Sequence, residues 1–330
     1  MSATNNRWKI ACLDVWEADV RAATEAVKPP EFDLHFAESF DDDEQLNVAH
    51  DSDFIMACWG PVPARVIEQS PNVRMVHKWG IGYDKIDLEA CRRKGIPVLI
   101  TAGANKGPVA EHTIMLILAV YRQLTRVDRG VRTGHWMKKE ARSIARRLDG
   151  KTVGLLGFGN IGKAVAQKIR GFDVNLVYYD IVRPDPAVER DLDATFVPYE
   201  RLLAESDVLS VHVPLDDTTR AMVNDDSIAR MKDGAVLINC ARGEIIDVNA
   251  VDAALTAGKL SGAGIDVWPT EPASPDHPLL KHENVVATPH TAGAVYDNVG
   301  HVSAHVFRNM QRLLNGEPLP EADVIVPLPT

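Results

Sequence analysis

Gly157-Phe158-Gly159-Asn160-Ile161-Gly162 is a G-x-G-x-x-G sequence lying directly after the apolar run Thr152 to Leu156 and opening a helical pattern that ends near Arg170. In that setting the first glycine permits a tight turn, the second lets a pyrophosphate approach the backbone, and the third allows close helix-to-strand packing. The helix N-terminus then faces the phosphates with unpaired N–H groups. Asp180 ends the next strand pattern, 18 residues after Gly162. A carboxylate there accepts bonds from a ribose 2′-hydroxyl and repels a 2′-phosphate, which favours NAD over NADP. Arg183, close behind, is placed to turn toward a 2′-phosphate and soften that preference. The bland alternative, a glycine-rich turn with an ordinary strand-end aspartate, is disfavoured by the strand and helix that flank it.

Three further side chains stand just past strand patterns. Arg242 lies in Asn239-Cys240-Ala241-Arg242-Gly243, Glu271 in Asp266-Val267-Trp268-Pro269-Thr270-Glu271-Pro272, and His290 in Thr288-Pro289-His290-Thr291-Ala292-Gly293. Carboxyl ends of strands are where open α/β sheets bind ligands. An arginine there can fork onto a carboxylate. A glutamate paired with a histidine favours imidazolium, which can donate a proton to a developing alkoxide. Together they form an anchor, a tuner and an acid/base, the groups that hydride exchange at C2 of a 2-oxo acid requires beside a nicotinamide. Singly, a strand-end arginine more often makes a surface ion pair and a lone histidine is more often structural. Spacing alone does not bring the three together.

The elements that must position these residues form an alternation of short β-branched runs and amphipathic stretches. The first half offers Lys9 to Leu13, Val20 to Val27, Phe54 to Ala57, Ala64 to Glu68 and Arg74 to Val76. The second offers strands at Thr152 to Leu156, Val174 to Tyr179, Val208 to Val213, Ala235 to Asn239, Ser261 to Asp266 and Val285 to Ala287. This pattern predicts parallel sheets covered by helices, with a complete nucleotide-binding sheet in the second series. Between the series, one long helix is expected from Val109 to about Arg129, with Val109, Met115, Leu118 and Leu124 among its apolar positions and Pro108 in its first turn. A last helix, Val295 to Leu314, is expected to stop at Asn315-Gly316 and return the chain to the first domain. The acidic run Asp41 to Glu44 and the basic run Lys138 to Arg147 read as solvated faces or interface edges.

With 330 residues, 45% of them hydrophobic and 25% charged, the chain is long enough for two domains with buried cores. Its net charge of −10 disfavours a general nucleic-acid binder and an anionic membrane surface. Cys12, Cys58, Cys91 and Cys240 show no C-x-x-C pair and no histidine at zinc spacing, so reduced thiols and no metal site are expected. Met1 to Lys9 lacks a signal pattern, and the apolar run Thr113 to Tyr121 is too short to span a bilayer, so a cytoplasmic location is expected.

From Trp79 to Gly293 the chain resembles the D-isomer-specific 2-hydroxyacid dehydrogenases, whose members include phosphoglycerate dehydrogenase and glyoxylate/hydroxypyruvate reductases. The resemblance is carried by Gly80-Ile81-Gly82-Tyr83-Asp84-Lys85-Ile86-Asp87, Val109-Ala110-Glu111-His112, Gly157 to Gly162, His212-Val213-Pro214-Leu215, Asn239 to Gly243, Gly264-Ile265-Asp266-Val267 and Thr288-Pro289-His290. It implies that Arg242, Glu271 and His290 are catalytic and that Asp266 holds the nicotinamide amide. It also implies cofactor contacts at Asn160, Ile161, Asp180, Pro214, Thr219 and Cys240, and backbone N–H groups of Ile81 and Gly82 on the substrate carboxylate. The implied fold is α/β with two doubly wound parallel-sheet domains. A Rossmann NAD-binding domain, 103–292, is inserted into a flavodoxin-like substrate domain, 1–102 and 293–330, with a cleft that closes on substrate. A homodimer is implied as well.

The resemblance leaves two residues with two readings each. Trp136 is either a core aromatic or a dimer-arm residue bordering the partner's active site. Lys78 either points to solvent or meets a second anionic group on the substrate. Trp59 and Trp79 are expected to narrow the pocket, which favours small or apolar 2-oxo acids. The sequence, ending at Thr330, is read as lacking the appended regulatory domain of long phosphoglycerate dehydrogenases. Two other functions share the scaffold. One is a non-catalytic NAD-sensing regulator like the C-terminal-binding-protein corepressors, for which no disordered tail is found here. The other is a formate- or phosphite-type dehydrogenase; formate enzymes carry Gln in place of the Glu partner, so Glu271 argues against that class.

Overall fold

The computed structural model describes residues 7–329; the residues before Arg7, part of the stretch read for a signal, and Thr330 lie outside the described residues. The chain forms two compact units, Met1–Asn105 with Val295–Thr330, and Lys106–Ala294, so the second is inserted into the first along the sequence.

In the first unit the strands are β1 (Trp8–Cys12), β2 (Phe32–Phe36), β3 (Phe54–Ala57), β4 (Met75–Lys78) and β5 (Val98–Leu99), with β13 (Val324–Val326) from the end of the chain. The sheet order is β13-β5-β4-β3-β1-β2. All pairs are parallel except β13 on β5. The order β2-β1-β3-β4-β5 is that of flavodoxin-like sheets. Helix Val299–Leu314 packs Val306, Phe307 and Met310 into the core beside Phe32 and Phe54, with Phe307 stacked on Phe32 at 5.9 Å. It starts four residues later than expected, because Tyr296–Asn298 forms a 3₁₀ turn ahead of it. Gly316, at φ +67°, ends it where the Asn-Gly stop predicts.

Buried polar groups fasten this unit internally. Asp323 accepts from the Ala102 N–H at 3.0 Å, from His305 Nε2 at 2.6 Å and from Asn309 Nδ2 at 2.8 Å. Asn309 also donates to His77 Nε2 at 3.0 Å, so His77 uses its Nδ1–H on the Lys78 carbonyl. Burial pushes His77 down to about 4, which keeps it neutral at pH 7. Asp14, fully buried, accepts the backbone N–H groups of Cys58, Trp59 and Gly60 and so fixes the turn after β3. Lys78, at the end of the neighbouring β4, is only 6% exposed, which overturns the solvent-facing reading.

The second unit contains β6 (Thr152–Leu156), β7 (Asn175–Tyr179), β8 (Ala194–Phe196), β9 (Val208–Val211), β10 (Ala235–Asn239), β11 (Leu260–Ile265) and β12 (Val285–Ala287), all parallel, in the order β12-β11-β10-β9-β6-β7-β8. Its first three strands run outward on one side and the rest on the other, the Rossmann arrangement, with the order reversing between β6 and β9. Every residue of β9 and β10 is buried, as strands covered on both faces require. The long helix predicted before this sheet is two helices, Lys106–Tyr121 and Leu124–Arg132, broken where Gln123 adopts φ +54°. Met115 and Leu124, two of the apolar positions of the expected helix, are 45% and 53% exposed. Trp136 is 73% exposed, so it is not a core aromatic. Among the described residues, no helix is long and apolar enough to cross a membrane.

Candidate active site

The two outer glycines of the G-x-G-x-x-G turn are there because backbone crowds them. Gly157 sits at φ +99°, and a Cβ on it would lie 2.7 Å from the His212 backbone; one on Gly162 would lie 2.3 Å from the Gly157 carbonyl oxygen. Gly159 differs, with nothing within 4 Å of its Cβ position. That open side is what a pyrophosphate needs in order to reach the backbone. Helix Asn160–Ile169 starts at Gly159 with no side chain capping it, so its first N–H groups, including those near Asn160, Ile161 and Gly162, stand ready for an anion. At the end of β7, Asp180 accepts the Phe158 N–H at 2.6 Å and the Val182 N–H at 3.0 Å, which fixes the carboxylate beside the glycine turn. The residues present therefore fit a dinucleotide.

Pro214 and Cys240 follow β9 and β10 at the same carboxyl edge. Thr219 is buried, and its hydroxyl is spent on the Pro214 carbonyl at 2.7 Å, which fastens the loop rather than presenting a donor. Burial pushes the Cys240 thiol up to about 12, against a lowering hydrogen bond with Thr113, so it stays protonated at neutral pH.

Arg242, Glu271 and His290 come from the segments after β10, β11 and β12. Asn239 ties the first of these loops down, donating Nδ2 to the Arg242 carbonyl at 2.8 Å and accepting the Ala241 N–H at 3.0 Å. Gly243 must be glycine, because a Cβ there would lie 2.1 Å from the Trp268 carbonyl carbon. The Arg242 loop thus lies against the segment that carries Glu271. Glu271 Oε1 accepts the Trp268 N–H at 3.1 Å, and Trp268 in turn donates Nε1 to the Thr288 carbonyl at 3.0 Å.

His290 Nδ1 lies 3.0 and 2.9 Å from the two Glu271 oxygens. A carboxylate only accepts, so Nδ1 carries the proton and Nε2 is the nitrogen turned to other chemistry. His290 itself is held at φ +55°, a left-handed conformation that a histidine adopts at a cost.

Asp266 supplies what holds it there. Its backbone carbonyl accepts the His290 N–H at 2.7 Å, and its carboxylate accepts the Thr291 and Ala292 N–H groups, each at 2.9 Å. Thr288 Oγ1 donates to Asp266 Oδ1 at 2.6 Å and receives His112 Nε2 at 3.0 Å. Burial raises the Asp266 carboxyl, but the hydrogen bonds from His112, Thr288, Ala292 and Thr291 outweigh it and hold the group down at about 2. Because the folded value lies below the ordinary one, the stability it contributes is present above about pH 4 and is lost as pH falls toward 2. Asp266→Asn is expected to cost about 2 kcal/mol at pH 7. Urea midpoints taken from pH 7 down to pH 3 should show the gap to wild type narrowing with acidity; a gap that is constant with pH would contradict the account.

Asn239, Thr288 and His112 appear in the motifs, but their fastening roles had no sequence signal beyond residue type. Lys78, Ile81 and Gly82 lie in the first unit, Lys78 at the end of β4 and the other two in the turn after it, both partly exposed. Among the described residues, no group of three or more side chains is placed to hold a metal ion.

A Rossmann sheet with a dinucleotide turn, and a histidine-glutamate pair beside an arginine at the same edge, define an NAD-dependent oxidoreductase. The chain belongs to the D-isomer specific 2-hydroxyacid dehydrogenase family: the description "D-isomer specific 2-hydroxyacid dehydrogenase, NAD binding domain" matches residues 114–292. The chain is 38% identical over 259 residues to a glyoxylate reductase of Korarchaeum cryptofilum, covering 78% of each chain. It is 39% identical over 257 residues to a hydroxypyruvate reductase of Thermotoga maritima, covering 77% of this chain and 82% of the other. Among solved structures, the NAD-dependent formate dehydrogenase from Staphylococcus aureus in complex with NAD superposes with a TM-score of 0.84 at 28% identity, covering 97% of this chain and 100% of that one.

Proposed function

We propose that the protein interconverts a 2-oxo acid and the D-2-hydroxy acid, with His290 as acid/base, Glu271 as its partner and Arg242 as the carboxylate anchor. The observation that carries this reading is the two-oxygen contact of Glu271 with His290 Nδ1, at 2.9 and 3.0 Å, next to the Arg242 loop. NAD, when bound, supplies or accepts the hydride at substrate C2. Gly157, Gly159, Asn160, Ile161, Gly162 and Asp180 would hold its phosphates and ribose, with Pro214, Thr219, Cys240 and Asp266 along the same edge. In reduction, His290 delivers the proton from Nε2 to the C2 oxygen, and in oxidation it takes it back. Glu271, a fixed negative charge on Nδ1, stabilises the imidazolium form. Arg242 forks onto the substrate carboxylate and so orients C2.

The first unit contributes the rest of the reading. Ile81 and Gly82 would donate backbone N–H groups to the substrate carboxylate, and buried Lys78 would meet a second anionic group on the substrate. We assign residues 1–102 and 293–330 to the substrate domain, 103–292 to the NAD-binding domain, and the working form to a homodimer. The exposed apolar side chains of Leu124, Val131 and Trp136 support the homodimer. Four unpaired cysteines fit the cytoplasm.

NADH oxidation at about 340 nm by the purified protein, against glyoxylate, hydroxypyruvate, pyruvate, phenylpyruvate, 2-oxoisocaproate and 3-phosphohydroxypyruvate, tests the reading. Turnover of at least one is expected. Silence across the panel with NADH still bound would instead support the regulatory reading, and NADH production from phosphite would move the activity to that class.

A further inference from the structure

The loop after β7 carries opposite charges three residues apart, Asp180 and Arg183. A carboxylate at this strand end repels a 2′-phosphate, whereas a nearby guanidinium attracts one. The structure turns the guanidinium to another partner. Arg183 Nε and Nη2 donate to Glu189 Oε1 and Oε2 at 2.7 and 2.8 Å, a bidentate fork. The guanidinium carbon also lies 5.1 Å over the Phe196 ring. The Tyr178 hydroxyl, from a fully buried ring, donates to Glu189 Oε1, the oxygen that also accepts Arg183 Nε.

Glu189 is the anchor of this arrangement: its side chain is 12% exposed, against 56% for Arg183. The bonds from Arg183 and Tyr178 hold the Glu189 carboxyl down at about 2, so it remains charged wherever the protein is folded and working. Fork, ring and buried hydroxyl together engage the guanidinium with Glu189 and Phe196.

We propose that Glu189 sets cofactor preference by latching Arg183 onto Phe196, which withholds a cation from the adenosine 2′ position and leaves Asp180 unopposed there. Glu189 acts through Arg183 and is a positioning residue. The proposal rests on Asp180 facing the adenosine ribose.

The test is calorimetric titration of the full-length protein with NADH and with NADPH, without substrate. Glu189→Gln keeps an acceptor for Tyr178 and removes the charge that holds Arg183. NADPH binding is expected to tighten about fivefold in this variant while NADH binding stays within about twofold. The gain should vanish in Glu189→Gln/Arg183→Ala and shrink in about 0.5 M salt. Arg183→Ala alone should leave NADPH binding unchanged, because the latched guanidinium does not reach the ligand. The proposal is overturned by unchanged NADPH affinity in Glu189→Gln, by a gain that survives loss of Arg183, or by weaker NADPH binding in Arg183→Ala alone. Absence of NADH binding by the wild-type protein would remove the site assignment beneath it, and the proposal with it.

Discussion

Replacing His290 with asparagine is expected to lower kcat for 2-oxo acid reduction about a thousandfold, the scale on which a positioned acid/base acts. Asparagine is the informative choice because it tolerates the left-handed backbone that His290 adopts at φ +55°, so the loop held by Asp266 should keep its course. What disappears is the nitrogen that exchanges a proton, while the G-x-G-x-x-G turn and Asp180 are untouched. Affinity for NADH should therefore stay within about twofold of wild type, since no group that would hold it has changed. Steady-state kinetics with a parallel NADH titration reads both quantities. A loss of less than about tenfold would mean that another group moves the proton. Glu271→Gln should cost less, about tenfold in kcat, because the amide oxygen still accepts from His290 Nδ1 while the negative charge is gone. An unchanged kcat would remove Glu271 from the chemistry.

Arg242→Ala is expected to lower kcat/KM for every accepted 2-oxo acid about a thousandfold, some 4 kcal/mol of transition-state binding. The loss should fall on both KM and kcat, because a mis-seated carboxylate also displaces C2 from its reaction partners. Arg242→Lys should recover little, since a point charge replaces a planar fork. Either change loses or alters the Arg242 Nη1 bond to the Ala241 carbonyl at 2.7 Å, but the loop keeps two ties that do not use the side chain: Asn239 binds its backbone, and Gly243 packs on the Trp268 backbone. An intact kcat/KM in Arg242→Ala would remove Arg242 from the substrate site.

Much of this site could be read from one dimension, for reasons that differ by residue. The glycine turn was legible because its constraint is local: Gly157 and Gly162 are crowded by backbone that any strand-turn-helix brings close. Arg242, Glu271 and His290 were legible as strand-end residues, since apolar runs mark the strands and the chemistry stands just beyond them. Their meeting was not, because the Glu271–His290 contact depends on how Asp266, from a third position, pins the loop at 290–292. Asp266 was expected only as a nicotinamide contact, and its bonds to that loop require tertiary structure to see. The same limit explains the single long helix that is in fact two. Apolar residues resume at Leu124 and Val127 beyond Arg122 and Gln123, but apolarity reports which residues are hydrophobic, not where a backbone turns, and Met115 and Leu124 face outward. Lys78 went the other way: a lysine's default is solvent, and only the neighbouring strands show it buried. Glu189 carried no signal, since its pairing with Arg183 follows from the fold of the short helix Pro186–Leu192 beside β7.

The most direct measurement is the fate of label when the protein reduces hydroxypyruvate, or whichever 2-oxo acid of the panel other than glyoxylate turns over fastest, with NADH deuterated at C4. The account predicts that deuterium from one of the two C4-labelled isomers arrives at C2 of the product, that the product has the D configuration, and that D₂O places none on that carbon. An L product, or label at C2 drawn from solvent, would contradict it.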